Sequence, residues 1–262
     1  LSSRTLAIAE QWRALGKKRA LIPYLTAGFP NAAQSREALV RVAAAGADFV
    51  EVGVPFSDPL ADGPTIQRTT QAALAQGMTL RGVLELIREA QVRIPVILMT
   101  YLNPVLSYGI DTFVADAAAA GAAGILLTDL PAGADPAVEA SVTRSPLALI
   151  RLVAPTTDDA RLKTALQNAP ENGFVYLISR LGVTGVRAEV PPDLEVHVRR
   201  VRSATKLPVA VGFGISTPAQ AAAAARFADG VVVGSALMDA LAQGGVAAAE
   251  RLARELAAAV HQ

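Results

Sequence analysis

The chain contains no cysteine, which rules out disulfides, a thiolate nucleophile and any cysteine-ligated metal. A cysteine-free chain suits the cytoplasm. Histidine is nearly absent as well: of the two present, His197 falls within a predicted helix and His261 is the penultimate residue. Neither a catalytic histidine nor a histidine-ligated metal is expected. The formal net charge is only +1, so there is no basic footprint for nucleic acid. The one compact basic run, Lys17-Lys18-Arg19, reads as the solvated end of a first helix, where cations suit the dipole. No charge-free apolar stretch of 18 or more residues occurs, so no membrane span is expected. Residues Leu1 to Trp12 lack the apolar core of a signal peptide.

What is present is an apolar, alternating chain. Its 262 residues are 52% hydrophobic and 18% charged, enough to bury a large core without staples. Short β-branched runs recur at 20–26, 48–53, 95–101, 123–128, 147–153, 174–179, 208–212 and 230–233. Helical stretches lie between them at 32–46, 65–77, 79–92, 110–121, 135–144, 158–168, 192–204 and 217–227, with a last one near 246–260. Strands alternating with helices give a parallel sheet of βαβ units. Eight such units at this length predict an α/β fold, a single (β/α)8 TIM barrel over residues 1–262. A doubly wound open sheet is the alternative. An extra N-terminal helix at 4–16 is expected to plug the barrel bottom, with Trp12 packing it in place.

In such a barrel the chemistry sits in the loops after the strands, and three of these stand out. The first is the run Phe49-Val50-Glu51-Val52-Gly53, followed by Val54-Pro55-Phe56-Ser57-Asp58-Pro59-Leu60-Ala61-Asp62-Gly63-Pro64. Strand alternation sends Val50 and Val52 toward the helices and Glu51 into the barrel, where an unpaired carboxylate has its pKa raised. A structural Glu bonded to a Tyr or Thr is the other reading of Glu51, and helix capping is the other reading of Asp62. The second feature is a pair of glycine clusters after the seventh and eighth strands, Val211-Gly212-Phe213-Gly214-Ile215-Ser216 and Val233-Gly234-Ser235-Ala236, the latter entering a helix. They suit a phosphate, with ordinary turns as the bland alternative. The third is Tyr176 in the sixth strand and the loop after it, from Ser179 through Arg180, Thr184 and Gly185 to Arg187. Its glycines, hydroxyls and arginines suit a lid or a plain surface loop.

Together these motifs resemble the tryptophan synthase alpha subunit family, from about Arg4 to the last helix. Leu21 to Gly28, Glu51 to Pro64, Met99-Thr100-Tyr101-Leu102-Asn103-Pro104-Val105, Thr128-Asp129-Leu130-Pro131, Val153 to Thr157, the lid and Gly212-Phe213-Gly214-Ile215 carry the likeness. The resemblance implies reversible aldol cleavage of indole-3-glycerol phosphate to indole and D-glyceraldehyde 3-phosphate. By the same matching, Glu51 does acid–base work, Asp62 meets the indole N–H and Tyr176 supports them. Tyr24 and Tyr101 line the indole pocket. Gly185, Gly212, Phe213, Gly214, Gly234 and Ser235 hold phosphate, and Arg180 and Thr184 belong to the closing lid. No cofactor or metal is implied. Pyridoxal phosphate is expected only in a beta-subunit partner, met at Asp58, Asn103, Pro104 and Pro131 in an αββα assembly. Three departures stand out: Phe29 where many members carry Asp, Leu181 at a variable lid position, and a short segment after Asp129 that predicts a reduced fourth helix. A stand-alone indole-glycerol phosphate lyase, a phosphosugar isomerase and a non-enzymatic scaffolding subunit are the competing readings.

Overall fold

The structure is a computed structural model that describes residues 7–167, 169–178, 192–212 and 214–262. Helix α1 (Ile8–Leu15) precedes strand β1 (Ala20–Thr26), and parallel strands then alternate with helices. The strands are β2 (Val50–Gly53), β3 (Val96–Thr100), β4 (Ala122–Leu127), β5 (Ala148–Leu149), β6 (Arg151–Val153), β7 (Val175–Ile178), β8 (Val209–Gly212) and β9 (Gly230–Val233). The sheet order is β5-β4-β3-β2-β1-β9-β8-β7-β6, so its two edges are consecutive in the chain. They are the two halves of the predicted strand 147–153. The first half pairs with β4 and the second with β7, and the backbone between them closes the ring. The nine short strands are thus the eight staves of a (β/α) barrel.

Alternation along each stave sorts two hydrophobic cores. Ala20, Ile22, Phe49, Ile97, Leu126, Phe174, Tyr176 and Val232 fill the interior. Leu21, Val50, Val52, Leu98, Val175, Val231 and Val233 face the helices. At the bottom, Ile8 of α1 is buried, and the Trp12 ring lies 4.7 Å from Phe49 and 5.7 Å from Phe174. The plug is as expected, but α1 ends at Leu15, with Gly16 at φ 61° as its cap. Lys17 to Arg19 therefore lie beyond the helix rather than at its end, with Arg19 paired to Asp229 at 3.3 Å.

Several helices begin at side-chain caps. Helix α4 (Leu80–Ala90) begins where the Thr79 side chain accepts from the Gly82 amide, and it buries Val83, Leu84, Leu86, Ile87 and Ala90. Between them lie α2 (Ala32–Ala44) and α3 (Pro64–Ala75) before β3, then α6 (Ile110–Ala120), α7 (Pro136–Thr143), α8 (Asp159–Gln167), α9 (Leu194–Ala204) and α10 (Pro218–Ala225). The fourth barrel helix, α7, spans eight residues, as the short segment after Asp129 predicts. Two features depart from expectation. A helix α5 (Leu102–Tyr108) occupies what reads as a loop; Pro104 is tolerated in its first turn, where an amide has no partner in the helix. The last helix, α11 (Ser235–Val260), starts directly after β9 and breaks at Gly245, whose φ is 66° and ψ −166°. The expected segment near 246–260 is its second half. His261 ends the chain's last turn against Asp48 at 2.8 Å, and His197 pairs with Asp193 along α9.

Candidate active site

A cavity of about 440 Å³ opens at the C-terminal end of the strands, a size suited to a small organic ligand. Tyr24, Glu51, Met99, Tyr176 and Val232 form its floor; Asp62, Gly63, Thr65 and Ile66 form one wall. Gly214 to Thr217 and Gly234 to Ala236, with Asp239, form the other. Neither histidine lines it.

Glu51 sits in the centre of β2, opposite Tyr24 on β1 and Ile97 on β3. It is 0% exposed, and neither carboxyl oxygen has a hydrogen-bond partner among the described residues. The reading of Glu51 as a structural residue tied to a Tyr or Thr therefore finds no support there. Burial pushes its pKa up to about 8, because a dry environment penalises the charged form. Burial thus favours the neutral carboxyl near pH 7, the form that can give a proton.

Asp62 is held differently. The Tyr101 hydroxyl donates to its Oδ2 at 3.1 Å and accepts from the Ala61 amide at 2.9 Å. Burial pushes the Asp62 pKa up to about 6, and the Tyr101 hydrogen bond works against that rise. Asp62 does not cap the next helix: α3 begins at Pro64 after Gly63, with no side-chain cap. Two carboxyls that line one cavity are thus set at different pKa values, the pattern that divides acid from base work.

Tyr101, expected in the indole pocket, is buried beside Asp62: its ring packs against Phe56 at 5.2 Å, and its hydroxyl pins the loop that carries Asp62. Tyr24 and Tyr176 line the cavity, and burial, reinforced by the nearby carboxylates, holds both phenols protonated. Each has a glycine opposite that makes room for it. A Cβ on Gly53 would lie 2.0 Å from the Tyr24 hydroxyl, and one on Gly212 would lie 2.3 Å from the Tyr176 hydroxyl.

The glycine clusters are not equivalent. At the first, Gly214 has φ 82° and lines the cavity, but the amides of Ser216 and Thr217 are taken by the Gln220 side chain in the capping box of α10. At the second, no side chain caps α11, and Gly234, Ser235 and Ala236 face the cavity. Open amides at a helix N-terminus are a ready anion site. Gly212 ends β8 beneath Tyr176 and is not in the wall. Phe213, Arg180, Thr184 and Gly185 lie outside the described residues.

At the rim, Asp58 is exposed beside Ser57, Asn103 is exposed and Pro104 half-buried in the first turn of α5 rather than in a loop, and Pro131 is exposed after β4. Three further residues were not anticipated: Asp239 in the wall, Thr65 beside it, and Leu60, 93% exposed at the tip of the Asp58 loop. Only Leu60 has a signal in the sequence, as a large aliphatic between Pro59 and Pro64 in a loop that also carries Asp58 and Asp62.

The comparisons agree with this geometry. The family model described as tryptophan synthase alpha chain matches residues 12–262. A tryptophan synthase alpha chain from Acidiphilium cryptum is 50% identical over 227 residues, covering 86% of this chain and 82% of that one. One from Caulobacter vibrioides is 52% identical over 222 residues, covering 83% and 80%. Among solved structures, a chain of Mycobacterium tuberculosis tryptophan synthase superposes with a TM-score of 0.89 at 40% identity, covering 97% of each chain. The tryptophan synthase alpha subunit of Legionella pneumophila does so with 0.88 at 36% identity, also covering 97% of each. With the carboxyl pair, the barrel and these relatives in agreement, the chain belongs to the tryptophan synthase alpha chain family.

Proposed function

We propose that this chain cleaves indole-3-glycerol phosphate reversibly to indole and D-glyceraldehyde 3-phosphate, with Glu51 moving the protons. The observation that carries the assignment is the buried Glu51 carboxyl, unpartnered among the described residues at the floor of the cavity. The neutral acid gives its proton to indole C3, which leaves positive charge on the ring nitrogen. The Asp62 carboxylate, fixed by Tyr101, stabilises that charge. The Glu51 carboxylate so formed removes the proton from the hydroxyl on the carbon attached to C3. That carbon becomes the aldehyde, the carbon–carbon bond breaks, and its electrons restore the neutral indole ring. One proton is delivered and one removed, so Glu51 ends as it began, and no cofactor enters these steps.

Tyr24, Met99 and Tyr176 give the indole an apolar floor, and the open terminus of α11 receives the phosphate, with Gly214 facing it. The chain works with a tryptophan synthase beta subunit in an αββα assembly, where pyridoxal phosphate in the beta subunit supplies the chemistry that joins indole to serine. Docking at the strand-end face keeps indole from escaping. No helix among the described residues is long and apolar enough to cross a membrane, and we place the assembly in the cytoplasm. The test is indole release from indole-3-glycerol phosphate, with and without the beta subunit. Release that persists in a folded Glu51→Gln variant would remove Glu51 from the mechanism.

A further inference from the structure

The charged lining of the cavity is one-sided. Among the described residues it comprises Glu51, Asp62 and Asp239, with no lysine or arginine. A phosphorylated substrate therefore meets three carboxyl groups. Glu51 lies on the floor, and Asp62 lies in the wall beside Gly63. Asp239 stands nearest the phosphate half: it follows Ser235 by four residues in α11, on the same helix face, one turn deeper. A bare carboxylate one turn below the helix terminus would repel a phosphate held there.

Asp239 is not bare. The Arg68 guanidinium on α3 meets its Oδ1 at 2.7 Å. The Thr65 hydroxyl, one turn earlier on α3, reaches both oxygens at 3.3 and 3.4 Å. Arg68 is itself outside the cavity lining and approaches from the solvent side, with 59% of its side chain exposed. An exposed pair of this kind adds little to stability, so stability alone gives weak reason for it.

We propose that Arg68 is a charge guard for the phosphate half: by pairing with Asp239 along the cavity wall, it cancels the negative charge that would otherwise oppose the phosphoryl group. Thr65 keeps the Asp239 carboxylate turned toward Arg68. The pair sets selectivity for the anionic end of the substrate and touches none of the reacting atoms. The inference rests on the reading of the α11 terminus as the phosphate site.

The test measures kcat and KM for indole-3-glycerol phosphate, and Kd for glycerol 3-phosphate, in the complex with the beta subunit. Arg68→Ala should raise KM and Kd about tenfold, with the effect shrinking at high salt, and kcat should hold. Arg68→Ala combined with Asp239→Asn should return both constants to within about twofold of the parent, because the charge that needed a guard is gone. Arg68→Lys should retain parent-like values. A merely structural role for Arg68 would not be rescued by removing its partner's charge. Unchanged constants in Arg68→Ala, or no rescue in the double variant, would overturn the proposal. Ser235→Asp separates the underlying reading: it should abolish glycerol 3-phosphate binding in every background. If that variant binds normally, the phosphate site itself is misplaced and the guard falls with it. If it fails to bind while Arg68→Ala is normal, only the guard is wrong.

Discussion

At Glu51 the requirements of chemistry and of folding are opposed. Its folded pKa of about 8 lies above the ordinary carboxyl value of 4.5, so the folded state binds the proton more tightly than the unfolded chain. Its contribution to stability is therefore complete below about pH 4.5 and declines as pH rises toward 8, by roughly 3 kcal/mol at pH 7. Glu51→Gln, which cannot titrate, should lose this decline. Its thermal midpoint should change less than the parent's between pH 5 and 8, while turnover falls about 10²- to 10⁴-fold. Melting curves across that range and an indole-release assay check the two halves. Parallel pH dependence in parent and variant would mean that Glu51 is ionised in the folded protein. Asp62 makes a second prediction at the same scale. The Tyr101 hydroxyl lowers its pKa against the effect of burial, so Tyr101→Phe should let that pKa climb above about 6. The acidic limb of the kcat/KM profile should then move to higher pH. The substrate phosphate also titrates near pH 6, but a substitution on the protein does not move that ionisation. An acidic limb that stays in place would leave Tyr101 with the loop alone.

Elements position these residues, and they differ in how plainly the sequence announces them. The staves are legible because a parallel strand covered on both faces must be apolar throughout, and Glu51 interrupts such a run. Alternation alone then fixes its direction, since Val50 and Val52 require the helical side. Helix α5 is less legible, because Asn103-Pro104 has the composition of a turn and only the missing amide partner in a first helical turn makes proline acceptable there. The role of Tyr101 is hidden for a different reason: its contacts to Ala61 and Asp62 join residues 40 and 39 positions apart, and no local pattern encodes them. The same holds for Arg68 and Asp239, 171 positions apart. Gly212 reads as a phosphate glycine, yet its packing shows a second demand, room for Tyr176. Gly212→Ala should push the Tyr176 ring aside and reduce kcat with the barrel still folded, as judged by circular dichroism and indole release; unchanged turnover would show that the ring relaxes freely. At the opposite end, Trp12→Ala removes the ring that stacks on Phe49 and Phe174. It should destabilise the barrel by about 3 kcal/mol with kcat unchanged. Urea unfolding measures the loss, and a cost under about 0.5 kcal/mol would show that α1 packs without its tryptophan.

On the scale of the whole molecule, the proposed function asks one face, the strand ends, both to hold substrate and to meet a partner. The exposed large hydrophobics Leu60 and Leu106, 93% and 49% exposed, lie on the Asp58 loop and on α5, close in sequence to the residues proposed to dock. At 93% exposure Leu60 has no packing among the described residues that would explain an aliphatic at that site, and Pro59 and Pro64 on either side of it limit the conformations the loop loses on binding. A proline-stiffened loop with an apolar tip two residues from the exposed Asp58 has the anatomy of an interface centre with a polar rim. Leu60→Ser should therefore weaken the beta-subunit complex about tenfold or more, and Asn103→Ala and Asp58→Ala should weaken it less. The fold and the basal indole release of the isolated Leu60→Ser chain should persist, since Leu60 touches neither the cavity nor the core. Because the Asp58 loop runs directly into Asp62, partner binding and ligand binding act on the same segment. Coupling of the two is reciprocal in free energy, so glycerol 3-phosphate should tighten the parent complex and tighten the Leu60→Ser complex less. Titration calorimetry of the beta subunit into each variant, with and without glycerol 3-phosphate, reads both effects. Parent-like affinity in Leu60→Ser, Asn103→Ala and Asp58→Ala together would move the docking face away from this end of the barrel.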